Sequence, residues 1–148
     1  MMKLQLVDRI YDPETQQTTQ IEPELKHVVV RQKAAREATY ALQMVTEDGG
    51  TAVRAAIPGF HVAGKTGTAE KFLDGTYKSG KYVASFIGFV PAENPELVLL
   101  VVADEPSKSY HSGGMVCAPS FSRIGEKTLK YLNIPPTIPE ETGFARNW

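Results

Sequence analysis

His61-Val-Ala-Gly64-Lys65-Thr66-Gly67-Thr68-Ala-Glu70-Lys71-Phe-Leu73-Asp74-Gly75 is the stretch whose reading decides the fold. Lys65 lies between two glycines, and a threonine flanks the second glycine on each side. The ammonium offers a fixed positive charge. The glycines let a ligand approach the backbone, and the threonines add hydroxyl and N–H donors. Together they form a chemistry for gripping an anion. Asp74-Gly75 is a strong signal for a two-residue hairpin turn. The spacing therefore predicts a strand over Val62–Leu73 that turns back, after a polar loop Lys78–Lys81, into a second strand Tyr82–Val90.

The same letters fit another pattern. Gly59 to Thr66 satisfies G-x-x-x-x-G-K-[ST], the phosphate-binding P-loop. Leu97–Val102 followed by Ala103-Asp104-Glu105 resembles a strand that ends in an acidic magnesium ligand. A P-loop must open a helix, whose N-terminal N–H groups complete the phosphate cradle. Here only seven residues separate Gly67 from Gly75, and they end in hairpin chemistry. A nucleotide-binding protein is therefore the alternative reading and not the preferred one.

Outward from this stretch, Leu97–Val102 is a continuous apolar run that reads as a central strand. With the two strands before it, it suits an antiparallel meander with the Lys65 strand on the outside. Tyr82–Val90 is apolar on both faces, as expected of a sheet covered on both sides. Pro119 suits the first turn of a last helix running to about Leu132. Phe121, Ile124, Thr128, Leu129 and Leu132 are its expected buried side. Upstream, Gln32–Glu47 is the best helix, with Ala34, Ala38, Ala41, Leu42 and Val45 at helical spacing and Gly49-Gly50 as its stop. Leu4–Tyr11 and Gln17–Ile21 read as a hairpin around Asp12-Pro13-Glu14. Residues 1–30 are thus an N-terminal hairpin and linker, 31–134 the core, and 135–148 a proline-rich tail.

Bulk properties exclude several classes. At 148 residues the chain is one domain or part of one, and 42% hydrophobic content supports a core. A net charge of −1 gives no reason to expect nucleic acid. No apolar run approaches a membrane span, and Met-Met-Lys-Leu-Gln-Leu at the start is no signal-peptide core. Cys117 alone cannot form an internal disulfide and reads as a packed thiol. His27, His61 and His111 lack metal-ligand spacing, so neither a metal nor a cofactor is expected. Lys78 and Lys81 read as a solvated turn, and Asp104-Glu105-Pro106 as the shape of a loop.

The order of motifs carries a family resemblance. Lys65-Thr-Gly-Thr-Ala-Glu-Lys71 is followed by Gly75-Thr-Tyr77, Val83-Ala-Ser-Phe-Ile-Gly-Phe-Val-Pro-Ala92, Asn94-Pro95, Asp104-Glu105-Pro106, Gly113-Gly114, and Ala118-Pro119 with Phe121. Glu47-Asp-Gly-Gly-Thr51 precedes them. Over roughly Arg31 to Ile134 this resembles the C-terminal part of the transpeptidase domain of class B penicillin-binding proteins, especially the division-type enzymes. The resemblance implies an α+β fold of the serine β-lactamase/transpeptidase type, a mostly antiparallel sheet flanked by helices, of which this chain is a partial domain. It implies a serine D,D-transpeptidase parent that cross-links peptidoglycan stem peptides and is acylated by β-lactams. That parent would be anchored in the bacterial cytoplasmic membrane, with its catalytic domain outside; this chain has no targeting segment. Lys65, Thr66 and Gly67 fall on the third catalytic motif, and Thr68 on the carboxylate and oxyanion-hole position. Tyr110, His111, Gly113 and Gly114 fall on a loop bordering the substrate cleft.

One departure is large. The nucleophile motif is Ser-x-x-Lys and the second motif Ser-x-Asn. Ser79, Ser85, Ser107, Ser109, Ser112, Ser120 and Ser122 all lack a lysine three positions on, and no Ser-x-Asn occurs. Tyr131-Leu-Asn133 matches a variant in letters but follows the third motif and reads as structural. The expectation is a fragment that supplies the Lys-Thr-Gly strand without the nucleophile, its partner being the missing N-terminal part of the domain. A non-catalytic binding remnant is a further reading. The Leu97–Val102 strand is then expected to have an exposed edge, covered by the Leu4–Ile21 hairpin or by self-association.

Overall fold

A computed structural model describes residues 1–106 and 110–138, and of Lys78 and Ser79 the backbone alone. Ser107, Ser109 and the tail beyond residue 138 lie outside the described residues. The chain divides into two compact units, Met1–Arg36 and Glu37–Trp148.

The first unit holds a hairpin of β1 (Arg9–Asp12) and β2 (Gln17–Gln20), with Asp12 opposite Gln17. The Asp12 carboxylate caps the turn, accepting the backbone N–H groups of Glu14 (2.9 Å) and Thr15 (3.3 Å). The Thr15 hydroxyl and these two N–H groups hold its pKa below the ordinary value. The strand expected from Leu4 starts only at Arg9. Before it, the side-chain amide of Gln5 donates to the Ile21 carbonyl (3.1 Å), where a backbone ladder bond would otherwise form.

Helix α1 (Gln32–Gln43) stops four residues short of the expected Glu47. The competing interaction is tertiary. The Thr46 hydroxyl, buried, lies 2.8 Å from the Val62 carbonyl and 3.1 Å from that of Gln43, which draws the chain off the helix axis. Gly49 is left-handed (φ 82°), as a stop residue should be, but it serves the following turn instead of the helix.

The second unit is built on a meander of β3 (Ala63–Leu73), β4 (Thr76–Val90) and β5 (Leu97–Asp104), in that order and antiparallel throughout. Asp74 and Gly75 both have positive φ (51° and 78°), as a type I′ turn requires. Its twist matches the strands, so pairing resumes at once with Leu73 opposite Thr76. Lys78–Lys81, read as a loop, is therefore strand. A register irregularity between Glu70 and Phe72 joins this ribbon to the sheet, and Phe72 packs edge-on against Tyr77.

One face of the sheet carries the core. Ala84, Phe86, Gly88 and Val90 of β4 are buried, with Leu97, Leu99, Val101 and Ala103 of β5 packed beside them. Over them lie α2 (Gly113–Val116) and α3 (Ala118–Tyr131), with Pro119 in the first turn as expected. Phe121 meets Phe86 edge-to-face at 4.8 Å between ring centres, and both are fully buried. Of the expected α3 face, Phe121 and Leu129 are buried, whereas Ile124 and Leu132 are 46% and 49% exposed. The helix is rotated so that Ala118 and Gly125 face inward, with Gly125 against Ile57, whose terminal methyl would be 2.6 Å from a Cβ there. Cys117 is buried as expected; its thiol faces the Ala84 carbonyl (3.4 Å), and burial raises its pKa.

The opposite face is open among the described residues. Ile87, Val98, Leu100 and Val102 lie on it, 48–67% exposed. β5 is thus an edge strand that alternates inward and outward, and not the central strand its apolar run suggested; β4 is the central one. The run reads as central because both its faces are apolar, although only one is covered here.

At the turn end of the sheet an ionic cluster spans all three strands. Lys71 of β3 reaches Asp104 and Glu105 (both 2.9 Å), and Lys81 of β4 reaches Glu105 at 3.4 Å. Glu105, the loop residue after β5, is itself left-handed (φ 47°), and its N–H donates to the Tyr82 carbonyl (2.8 Å). Lys71 lowers the Glu105 pKa, and Glu105 with Asp104 raises that of Lys71.

Two outcomes are expected. Phe86→Ala should destabilise by about 3–5 kcal/mol, as large-to-small changes at buried aromatics do, read as a lower denaturation midpoint at unchanged m-value. The ionic cluster should contribute stability across the neutral range. Glu105 has a lowered folded pKa, so its contribution is lost as pH falls through that value. Lys71 has a raised one, so its contribution is lost as pH rises through it. Lys71→Met should flatten both limbs of melting temperature against pH; unchanged limbs would assign the pH dependence elsewhere.

Candidate functional site

The anion-gripping stretch lies in the middle of a strand. β3 continues without a break from Ala63 to Leu73, so no helix opens after Lys65-Thr66. The P-loop reading is thereby corrected: without a helix N-terminus the backbone N–H groups cannot converge on a phosphate. The Asp74-Gly75 turn is what holds the segment extended.

β3 is the outer strand on its side of the sheet, which leaves its far edge without a strand partner among the described residues. Register places Lys65 opposite Ile87, Thr66 opposite Phe86, Gly67 opposite Ser85 and Thr68 opposite Ala84. Lys65 thus belongs to the open face, and Thr66 and Thr68 to the helix-covered one. The Lys65 ammonium curls round the free edge to donate to the Thr66 carbonyl (3.0 Å) and lies 3.4 Å from the Thr66 hydroxyl. Lys65 and Thr68 are exposed, and Thr66 and Gly67 half-buried. A Cβ on Gly67 would stand 2.4 Å from the Ser85 hydroxyl oxygen, so a side chain there would require Ser85 to turn away.

The loop before α3 reaches the same region. Gly113 and Gly114 are buried, and their missing side chains are what permit the approach. A Cβ on Gly113 would be 1.8 Å from the Ser85 carbonyl oxygen and 2.9 Å from that of Gly67; one on Gly114 would be 2.0 Å from the Thr51 carbonyl oxygen. Gly113 thus packs against β3 and β4, and Gly114 against the Thr51 turn. His111, exposed, stacks on Tyr82 with ring centres 4.3 Å apart and planes 17° apart. Tyr82 pairs with Glu70, so this stack stands beside the far part of β3, away from Lys65. Tyr110 is 57% exposed.

The structure thus gathers Lys65, Thr66 and Gly67 with Gly113 and Gly114, and sets His111 on Tyr82. Sequence reasoning missed Thr51, Tyr82 and Ser85. Thr51 had a signal, since it ends the Glu47-Asp-Gly-Gly-Thr51 run. Tyr82 and Ser85 had none apart from their places in the strand. His61, just before β3, pairs through Nδ1 with the Glu93 carboxylate, and Ala92 N–H donates to its carbonyl (2.9 Å), tying the start of β3 to the β4–β5 turn. Among the described residues no group of three His, Cys, Asp or Glu is placed to hold a metal, and no helix is long and apolar enough to cross a membrane.

Comparison with known proteins completes the description. Residues 1–126 match the family model for the penicillin binding protein transpeptidase domain. The chain is 44% identical over 111 residues to the probable peptidoglycan D,D-transpeptidase PenA of Neisseria gonorrhoeae, covering 75% of this chain and 19% of that protein. It is 38% identical over 126 residues to the stage V sporulation protein D of Bacillus subtilis, covering 84% and 19%. Among solved structures it resembles the transpeptidase domain of penicillin-binding protein 3 from Burkholderia pseudomallei (45% identity, TM-score 0.65, 72% of this chain and 32% of that one). It also resembles penicillin-binding protein 3 from Mycobacterium tuberculosis in complex with ampicillin (25% identity, TM-score 0.75, 93% and 32%). The chain therefore spans about a fifth of these curated relatives and a third of the solved chains. With a mixed α/β fold of the serine β-lactamase/transpeptidase type and most of its length inside the match, this chain belongs to the penicillin-binding protein transpeptidase family.

Proposed function

We propose that this sequence forms the Lys-Thr-Gly wall of a serine D,D-transpeptidase cleft, in a parent protein that cross-links peptidoglycan stem peptides and is acylated by β-lactams. The observation that carries the reading is Lys65–Thr68 extended along a sheet edge that has no strand partner among the described residues, with Lys65 and Thr68 exposed. The Thr66 carbonyl turns to this edge to take the Lys65 ammonium. Backbone groups two residues apart on a strand aim the same way, so the Thr68 N–H is directed outward too. An outward N–H can serve as one donor of an oxyanion hole, and the Thr68 hydroxyl can hold a substrate carboxylate. Lys65 supplies positive charge to the nucleophile side. Tyr110 and His111 border the cleft at the end of β3 away from Lys65, and Gly113 and Gly114 line its base where they approach Gly67 and Thr51. The parent is anchored in the cytoplasmic membrane with this domain outside. No metal or cofactor takes part.

Nucleophilic acylation needs an activated serine beside its base, and the sequence contains no Ser-x-x-Lys. That absence also supports the second reading, a non-catalytic remnant that binds without reacting. Intact-mass spectrometry separates the two. This chain alone should gain no mass from penicillin. The complete domain of the parent should gain one adduct, at a rate that Lys65→Ala lowers by about 10²-fold or more, the scale of losing a charged or oxyanion-type group. A stoichiometric adduct on this chain alone would refute the assignment; a complete domain that stays unmodified would leave the remnant.

The open edge of β5 gives a further expectation for the isolated chain. Val98, Leu100 and Val102 are exposed on β5, whose outer edge has no strand partner among the described residues, and exposed apolar edges of this kind pair with other strands. Light scattering after size exclusion should show concentration-dependent association that Leu100→Lys suppresses. A strict monomer at every concentration would count against it.

A further inference from the structure

The Glu47-Asp48-Gly49-Gly50-Thr51 turn is outside the Lys-Thr-Gly motif, yet it ends on that motif. We propose that Thr51 is a positioning residue for Lys65, acting through the Thr66 hydroxyl. This deepens the transpeptidase reading and rests on it for its functional consequence.

Three observations converge on Thr51. Its hydroxyl oxygen lies 3.4 Å from the Thr66 hydroxyl oxygen, and the Lys65 ammonium lies 3.4 Å from that same oxygen and 3.0 Å from the Thr66 carbonyl. The three groups form a chain, ammonium to hydroxyl to hydroxyl. The ammonium can only donate, so the Thr66 oxygen accepts from it and shares a second hydrogen bond with the Thr51 hydroxyl, in which either oxygen can donate. Removing the Thr51 hydroxyl frees the Thr66 hydroxyl to rotate away. The ammonium then keeps the carbonyl and loses the second contact that fixes its direction.

The other two observations show that Thr51 is held in place despite its exposed side chain. From one side, α2 presses on it: a Cβ on Gly114 would stand 2.0 Å from its carbonyl oxygen. From the other, the turn fixes its approach. Ala52 N–H donates to the Val45 carbonyl (2.8 Å) and Gly50 N–H to that of Glu47 (2.9 Å), while a Cβ on Gly50 would be 2.4 Å from the carbonyl oxygens of Met44 and Val45. Gly49 supplies the left-handed step (φ 82°). An exposed threonine without a role would not need a backbone clamped on both sides. The same α2 glycine pair touches Gly67 through Gly113, so one element seats the strand and the residue that orients its lysine.

The test has two arms. In the first, NMR on this chain compares Thr51→Val, which keeps the shape, with Thr51→Ser, which keeps the hydroxyl. Thr51→Val should change the Thr66 χ1 coupling constants and shift the Lys65 side-chain signals, and Thr51→Ser should preserve both. Neither should move the melting temperature by more than a few degrees, because Thr51 is exposed. A Thr51→Val chain whose Thr66 and Lys65 signals match the wild type overturns the proposal. In the second arm, the complete parent domain is titrated with fluorescent penicillin. Thr51→Val should slow acylation about fivefold, the worth of one neutral hydrogen bond, with Thr51→Ser close to wild type. Equal rates for the wild type and Thr51→Val overturn the functional part. A wild-type domain that takes up no penicillin refutes the transpeptidase reading instead, and the NMR arm still decides the Thr51 contact.

Discussion

The constraint on which the rest depends is the backbone approach of Gly113 and Gly114 to the sheet and to Thr51. Separations that exclude even a Cβ leave no slack for the elements on either side. Immediately after these glycines the chain becomes Cys117 and then α3, whose Phe121 enters the core against Phe86. Phe86 is the register partner of Thr66. The same strand pair therefore carries a fully buried aromatic contact and the Lys-Thr-Gly motif side by side.

Electrostatic order along the sheet follows a similar division. Lys71 and Lys81 are spent on Asp104 and Glu105 at the turn end. Lys65 has only backbone and hydroxyl oxygens as its described partners. An ammonium neutralised by a carboxylate has little field to offer an incoming anion, whereas one held by neutral dipoles keeps its charge available. Lys65, Lys71 and Lys81 thus differ in use because of what faces them and not because of their own chemistry.

How much of this was legible in the sequence depends on which interaction decided each feature. The hairpin was legible because Asp74-Gly75 is a local signal with a local cause, and from it followed the strand identity of Lys65. The family was legible because the spacing of Lys65, Gly113 and Pro119 is a property of the sequence itself. The end of α1 was not, because Thr46 bonds to Val62, sixteen residues away. The rotation of α3 was not, because periodicity ranks Ile124 above Gly125, whereas in the fold it is Gly125 that packs against Ile57. The close approach of Gly113 and Gly114 to the protein's own backbone was not legible, because it depends on residues far away in the sequence, Ser85 and Thr51.

The open face of the sheet shows why the site needs more than its motif. Lys65 belongs to that face, in one row across the strands with Ile87 and Leu100. In water its attraction for an anion at 4 Å is only about 1 kcal/mol, and covering the apolar row with further structure lowers the local dielectric and multiplies that several-fold. The residues that make the face apolar therefore help set the strength of the Lys65 field without carrying charge themselves. A sheet that was polar on this side would present the same Lys-Thr-Gly letters and the same geometry with most of the electrostatic effect lost to solvent.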